Sequence, residues 1–163
     1  MQTPDLRQRV WWGFLDPDVK ELIDEAVLLL MVAPQLPEKF HDYSFIVFPA
    51  AKAYEGFLKK VFLERGFITK EDYIGKRFRV GKALNPSLDV KYREKESVYD
   101  RLADYCGGRE LADEAWETWR LCRNQLFHWF PNEKNAVSYA EARERVNMIF
   151  NTMDKLCGGC NIK

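Results

Sequence analysis

The clearest helical pattern in the chain runs from Glu110 to Trp129, whose sequence is ELADEAWETWRLCRNQLFHW. At about 100° per residue, six apolar residues of this stretch fall within one narrow sector of an ideal helix. These residues are Leu111, Ala115, Trp119, Cys122, Leu126 and Trp129. The spacing predicts one helix over the whole stretch, with this sector packed against a core.

The opposite side of the same helix carries an unusual mixture for a surface that faces water. Trp116 and Phe127 lie there beside polar and basic side chains, namely Arg120, Arg123, Asn124 and His128. Aromatic residues combined with arginine are enriched in buried protein interfaces. Two alternatives stay open: another helix of the same chain covers this face, or a partner subunit does. In the second case Trp116 and Phe127 are dimer-interface residues.

Helical periodicity also dominates the rest of the chain, and no convincing strand alternation is present. Helices are predicted from Pro17 to about Met31, from Phe40 to Arg65, from Tyr92 to Tyr105 and from Ser138 to Leu156. Ser138 and Glu141 form a capping-box pattern, and Pro49 predicts a kink or a division within the second of these helices. We expect a single domain over residues 1–163: an all-α, up-down bundle of about five helices, with an irregular basic insertion over about residues 67–91.

Charge and hydropathy exclude several classes of protein. The 163 residues contain 25 Lys and Arg against 25 Asp and Glu, so a strongly basic nucleic-acid-binding domain is excluded. The longest apolar run, Ala26 to Ala33, is much shorter than the about 20 residues that span a bilayer, and the N-terminus lacks the apolar core of a signal peptide. We therefore expect a cytoplasmic protein that does not insert into membranes.

The four cysteines give no clear metal or redox signature. Cys157-Gly-Gly-Cys160 has the spacing of a zinc knuckle or a redox pair. A second such pair and a neighbouring histidine are both missing from the sequence around it. Reduced thiols without a ligand are therefore expected, and no metal or other cofactor is predicted.

Arg123-Asn-Gln-Leu-Phe-His128 is an Arg-x4-His motif in which Asn124 follows the arginine. Here the chain resembles the HEPN superfamily of helical ribonucleases. The segment from Phe48 to Lys59 looks like the corresponding helix in the C-terminal HEPN domain of RNase LS-type toxins. The resemblance covers about Asp16 to Leu156. It implies a homodimeric toxin or defence effector that cleaves RNA without a metal and is restrained by a cognate antitoxin or regulatory protein.

The resemblance also implies catalytic roles for particular residues. A neutral His128 suits removal of the ribose 2′-OH proton near physiological pH, and Arg123 suits the phosphate oxygens as negative charge develops. The two lie about 140° apart on an ideal helix, so a symmetric dimer is expected to complete the site. By resemblance, Glu55 and Asp42 are acidic site residues. Glu55 alternatively belongs to a solvated ion-pair face with neighbouring lysines.

Contacts with RNA are expected from Asn124 and Arg120, and from the basic insertion. Residues 70–95 contain eight Lys or Arg against four Asp or Glu, and the candidates for phosphate contact are Lys76, Arg77 and Arg79. A local positive excess supports a few salt-sensitive contacts. A solvated loop is the alternative interpretation.

The sequence is also compatible with two other functions. The chain could be a non-catalytic HEPN-like helical module that binds another protein or an antitoxin. It could also be the HEPN partner of a nucleotidyltransferase, in which a tyrosine two residues after the histidine is modified. That position holds Phe130, which has no hydroxyl group.

Overall fold

A computed structural model describes residues 6–37, 39–129, 131 and 135–162, apart from the Lys95 side chain. Throughout this part of the chain the regular secondary structure is helical, so the all-α prediction is confirmed. The α-helices are α1 (Val10–Phe14), α2 (Pro17–Val32), α3 (Ser44–Glu64), α4 (Lys70–Ile74), α5 (Val80–Ala83), α6 (Val90–Glu96), α7 (Tyr99–Tyr105), α8 (Glu110–Trp119) and α9 (Tyr139–Gly159). Short 3₁₀ turns cover Leu6–Gln8 and Ala33–Gln35, and a π-helical turn, Arg120–Asn124, follows α8. Phe130 lies outside the described residues.

Helix α3 is the centre of the bundle. It packs against α2 and α9, and α9 also packs against α8. Side chains along the whole of α3 are buried, including Ile46, Tyr54 and Phe62. Gly56 lets α2 approach closely, since a Cβ at this position would lie 2.9 Å from Cγ2 of Val19. The core is therefore built around one long helix, and the elements at its two ends are held apart by its length.

The predicted ends of several helices are confirmed. Helix α2 begins at Pro17, and α9 begins after Ser138 with a complete capping box. The Glu141 N–H donates to Oγ of Ser138 at 3.3 Å, and the Ser138 N–H donates to Oε2 of Glu141 at 2.7 Å. Pro49 does not divide the second predicted helix, because α3 continues from Ser44 to Glu64 with Pro49 buried inside it.

The helix predicted over Tyr92–Tyr105 is broken into α6 and α7. The break lies at Ser97 and Val98. The Val98 N–H donates to the Ala83 carbonyl at 2.7 Å, instead of to the carbonyl four residues earlier in its own helix. A tertiary hydrogen bond to the end of α5 therefore interrupts a helix that local periodicity favours.

The helix predicted over Glu110–Trp129 is shorter than expected. Helix α8 ends at Trp119, and the Gln125 N–H donates to the Arg120 carbonyl at 2.9 Å, five residues back, as in a π turn. The π turn changes the angular position of every later residue, so the ideal 100° step no longer applies. Cys122 and Leu126 are buried as predicted, but Trp129 is 82% exposed. The prediction that Trp129 packs against the core is therefore wrong.

Two buried hydrogen bonds position α8 within the bundle. The Tyr54 hydroxyl of α3 donates to the Ala115 carbonyl at 3.1 Å. The hydroxyls of Thr118 and Thr152 lie 2.8 Å apart and join α8 to α9. Complete burial raises the pKa of Tyr54 well above its usual value of 10.0 and keeps its hydroxyl protonated. Together these bonds fix where the chain leaves α8.

The cysteines differ from the expected set of reduced thiols. Cys106, just after α7, forms a disulfide with Cys160, just after α9, with the two Cα atoms 4.7 Å apart. Tertiary packing brings the two helix ends together across 54 residues of sequence. Cys122 and Cys157 are free and buried. Cys157 and Cys160 are therefore not bonded to each other, although they are close in the sequence.

No helix in the described residues is long and apolar enough to cross a membrane.

Loss of the disulfide is expected to destabilise the fold. Cys106→Ser should lower the free energy of unfolding by about 2–4 kcal/mol, because the bond restricts the unfolded chain across a long loop. Urea denaturation of the oxidised protein and the variant measures the difference. As a control, a reducing agent should destabilise the wild type and leave Cys106→Ser unchanged. Equal stability of the oxidised wild type and the variant would contradict the stabilising role.

Candidate functional site

His128 lies in the irregular segment between the π turn and α9, and its side chain is exposed. Its backbone carbonyl accepts a hydrogen bond from the Asn135 side-chain amide. Among the described residues, the buried Oδ1 of Asn135 has no hydrogen-bond partner. Asn135 therefore anchors the His128 backbone and still has an unused acceptor.

Two adjoining cavities meet at His128. The first, of about 650 Å³, is called here the polar cavity, and its polar lining consists of Asn124, Gln125, His128, Asn135, Glu141 and Arg145. The second, of about 990 Å³, is called the aromatic cavity, and its aromatic lining consists of Phe40, Tyr43, Phe127, Trp129 and Tyr139. His41, Asp42 and His128 also line the aromatic cavity. Both histidines of the chain thus face one cleft, although His41 is distant from His128 in sequence.

The Asp42 carboxylate is a structural anchor at the wall of this cleft. Its Oδ1 accepts the N–H groups of Ser44 at 2.9 Å and Val137 at 3.1 Å, and its Oδ2 accepts the Ser44 hydroxyl at 2.7 Å. The Tyr43 N–H in turn donates to the Val137 carbonyl at 2.9 Å. Asp42 therefore ties the start of α3 to the segment that precedes α9.

The hydrogen bonds of Asp42 also determine its ionisation. Partial burial acts to raise the pKa of Asp42, but the bonds from Ser44 and Val137 outweigh it and lower the pKa below its usual value of 3.8. Both carboxylate oxygens are occupied in the ionised form. Asp42 is therefore suited to fixing the shape of the cleft rather than to accepting a proton from a substrate.

Arg123 contacts Phe127 and Glu55 and lines neither of the two cavities at His128. Its Nε is 3.9 Å from Oε2 of Glu55, and its guanidinium carbon lies 5.3 Å from the centre of the Phe127 ring. Phe127 also makes an edge contact with Phe48 of α3 at 5.4 Å between ring centres. Among the described residues, Arg123 Nε is buried without a hydrogen-bond partner. Helix α3 therefore covers this part of the face, as the same-chain alternative predicts.

Arg123 and His128 do not share a cavity lining within one chain. Phe127 connects them, because it contacts Arg123 and lines the aromatic cavity beside His128. Glu55 joins Arg123 but not the cleft. The predicted catalytic residues thus form two adjacent groups, Arg123 with Glu55 and His128 with Asp42.

The remaining predicted residues of this helix have different surroundings. Arg120 of the π turn forms hydrogen bonds with the Glu117 carboxylate of α8, 2.7 Å from Nε to Oε2. This pairing lowers the pKa of Glu117. Trp116 is half-buried and packs against the core. Asn124 lines the polar cavity with His128, as a substrate-binding role requires.

Lys76, Arg77 and Arg79 lie far from His128. Arg77 and Arg79 line a separate cavity together with Ile68, whose N–H donates to the Phe62 carbonyl near the end of α3. Asp42 and the cleft lie at the other end of α3, beside Ser44. At about 1.5 Å per residue, the helix from Ser44 to Phe62 separates the two by about 27 Å. The structure does not bring the basic insertion to the cleft.

Sequence reasoning missed Arg145 and Asn135. Arg145 lies on α9 and lines the polar cavity with His128 and Asn124. The only local signal for Arg145 is its position four residues after Glu141, which is also typical of a solvated helix pair. Placement of both residues depends on how α9 and its preceding segment pack against the π turn.

No protein-family profile, curated protein sequence or solved structure matches this chain. Within the described residues, no group of three or more His, Cys, Asp or Glu is placed to hold a metal ion. The resemblance to HEPN ribonucleases stays a prediction.

Asp42 is expected to stabilise the fold in a pH-dependent way. Asp42→Ala should lower the free energy of unfolding by about 1–3 kcal/mol at neutral pH, because it leaves the Ser44 and Val137 N–H groups unpaired. Because folding lowers the pKa of Asp42, the stabilisation is present above pH 3.8 and disappears as the pH falls through the lowered value. Urea denaturation at several pH values measures both effects.

The exposed Asp24 of α2 provides the matched control. Asp24→Ala should change the stability by less than about 0.5 kcal/mol. Similar losses for Asp24→Ala and Asp42→Ala, or a loss at Asp42 that persists at low pH, would contradict the anchoring role.

Proposed function

We propose that the chain is a metal-independent endoribonuclease in which His128 transfers protons during attack of a ribose 2′-OH on the adjacent phosphate. The observation that carries the proposal is the exposed His128 at the junction of a polar and an aromatic cavity. Unpaired RNA bases stack on aromatic side chains, and phosphates bind arginine and amide groups. The cleft offers both kinds of group on the two sides of one imidazole.

The reaction requires two proton transfers. As the 2′-oxygen bonds to phosphorus, an imidazole accepts its proton, and the bond from phosphorus to the 5′-oxygen breaks. An imidazolium donates a proton to that leaving oxygen. The products are a 2′,3′-cyclic phosphate and a free 5′-hydroxyl. Histidine suits both transfers because its usual pKa lies near neutral pH.

The developing charge on the phosphate needs a cation. We propose that Arg145 binds the phosphate on the polar side of His128, and that Arg123 contributes in a homodimer where a second copy completes the site. The Arg123 side chain is 33% exposed, so part of its guanidinium is accessible to a phosphate even though it pairs with Glu55. Trp129 and Phe48, which are 82% and 47% exposed, offer apolar area for the dimer contact.

The biological setting proposed with this activity is a toxin or defence effector of the cytoplasm, restrained by a cognate antitoxin or regulatory protein. Glutathione keeps most cytoplasmic thiols reduced. We therefore expect the Cys106–Cys160 bond to stabilise the oxidised protein rather than to be required for the fold.

A non-catalytic protein-interaction module is the second candidate. It is favoured by a row of exposed apolar side chains at the end of α2 and beyond, at 36–53% exposure: Leu28, Met31, Val32 and Leu36. Contiguous exposed apolar surface often marks a binding site for another protein. In this case partner binding persists when His128 is replaced, and RNA is not cleaved.

Substitution at the two motif positions tests the proposed activity. With single-stranded RNA and EDTA present, His128→Ala should lower the cleavage rate by about 10²-fold or more, because the proton acceptor is lost. Arg123→Ala should lower it by about 10²-fold through loss of charge stabilisation. Gel analysis of labelled RNA measures the rates, and the cyclic phosphate end identifies the mechanism.

The other histidine of the chain provides the comparison for His128. His41→Gln should retain more activity than His128→Ala, because His41 lines only the aromatic cavity. Equal cleavage by the wild type and by both motif variants would contradict the proposed roles of Arg123 and His128. An inactive His41→Gln together with an active His128→Ala would contradict the role of His128 as well.

Arg145 is expected to bind the substrate rather than to stabilise the fold. Arg145→Ala should raise the KM for RNA by about tenfold, since one phosphate contact is lost. Steady-state kinetics with urea denaturation of each variant separates binding from folding. Arg143, two residues away on α9 and exposed, is the matched control, and Arg143→Ala should leave KM unchanged. Equal KM values for the two variants would remove Arg145 from the site.

A further inference from the structure

The separate cavity that Arg77 and Arg79 line, near the far end of α3, has an excess of basic groups. It has a volume of about 420 Å³ and is called here the distal pocket. Its charged lining consists of Arg77, Arg79, Lys82, Arg101, Asp72 and Glu96. Four cations therefore face two carboxylates in a protein whose net charge is zero.

Both carboxylates of the distal pocket are already engaged. Oδ2 of Asp72 accepts the N–H and the hydroxyl of Thr69 at 3.1 Å each, in the capping box of α4. Glu96 forms a salt bridge with Lys82. Hydrogen bonds from Thr69 do not neutralise Asp72, so the four basic groups leave an excess of two positive charges over the two carboxylates.

Backbone carbonyls hold two of these arginines. Nη1 of Arg79 donates to the Lys76 carbonyl at 2.5 Å, and Nε of Arg101 donates to the Ser97 carbonyl at 3.0 Å. The Arg101 guanidinium also lies 6.0 Å from the centre of the Phe67 ring. A carbonyl or a ring orients a guanidinium without neutralising it. The pocket thus presents oriented positive charge beside the half-buried ring of Phe78.

We propose that the distal pocket binds the phosphodiester backbone of an RNA strand, at a point remote from the scissile bond. The inference rests on the proposed function, because it makes the pocket a second contact for the strand cleaved at His128. Guanidinium groups match phosphate oxygens in geometry and charge. The aromatic edge of Phe78 suits a neighbouring base.

The length of α3 sets the reach that the RNA needs. The pocket and the cleft are separated by about 27 Å along this helix. At an axial rise of about 3.4 Å per nucleotide in a stacked strand, this distance corresponds to about eight nucleotides. A strand of about four nucleotides that occupies the cleft therefore cannot reach the distal pocket.

Binding of 2′-O-methyl RNA, which has no attacking hydroxyl, tests the pocket separately from catalysis. Fluorescence anisotropy would compare strands of about 4 and about 12 nucleotides at several salt concentrations. Arg77→Gln/Arg101→Gln should weaken binding of the longer strand about tenfold, and lower the salt slope by about 1.4 for two lost contacts. Binding of the shorter strand to the cleft should not change. Arg109→Gln/Arg143→Gln, which removes two exposed arginines outside the pocket, should bind both strands like the wild type.

Three results would overturn the proposal. One is unchanged binding of the longer strand to Arg77→Gln/Arg101→Gln, called here the distal variant, with urea denaturation confirming that this variant is folded. Another is an equal loss for both strand lengths. The third is that the distal variant no longer binds pyrophosphate but still binds the longer strand normally. This result would assign the pocket to a small phosphate ligand.

Two combinations of results distinguish an error about the distal pocket from an error about the proposed ribonuclease activity. If His128→Ala cleaves RNA like the wild type while the distal variant still loses the longer strand, the ribonuclease proposal fails and the pocket remains an RNA site. If His128→Ala is inactive and the distal variant binds the longer strand normally, only the proposal for the distal pocket is wrong.

Discussion

Burial of α3 is the constraint on which the rest of the structure depends. Its Tyr54 is completely buried, and its hydroxyl has to find a partner there because an unpaired buried polar group is costly. It donates to the Ala115 carbonyl, which fixes how α8 lies against α3. The Thr118–Thr152 pair then fixes α8 against α9. Together these contacts determine where the chain emerges at the π turn and, a few residues later, where His128 lies.

The π turn changes what the Arg-x4-His motif can do within one chain. An ideal helix would carry Arg123 and His128 on two flanks of one surface. In the structure, Arg123 turns to Glu55 and the Phe127 ring, whereas His128 follows the helical region and faces the cleft. The motif residues become neighbours across an aromatic side chain instead of partners in one cavity. A second copy or a substrate phosphate must bridge them for the two to act together.

The neutral charge of the chain conceals a separation of charged groups along α3. At one end, the ionised Asp42 fixes the backbone around the cleft and Arg145 supplies a cation beside His128. At the other end, four basic side chains surround a pocket that holds two carboxylates, and carbonyl groups orient two of its arginines. A rigid helix keeps the two regions at a constant distance, so a ligand that contacts both must be long.

The sequence by itself determined the all-α class, the start of α2 at Pro17 and the capping box at Ser138, because these features depend on local periodicity and on hydrogen bonds between near neighbours. It also indicated His128 and Asn124 as candidates. It could not place Trp129, because an ideal step of about 100° per residue does not anticipate the π turn that precedes this side chain. Nor could it bring together Cys106 with Cys160, or Arg145 with His128, because each pair meets only when distant helices pack. Local sequence signals thus defined where α2 and α9 begin, whereas only the tertiary structure, through the burial of α3, decided which side chains share a cavity.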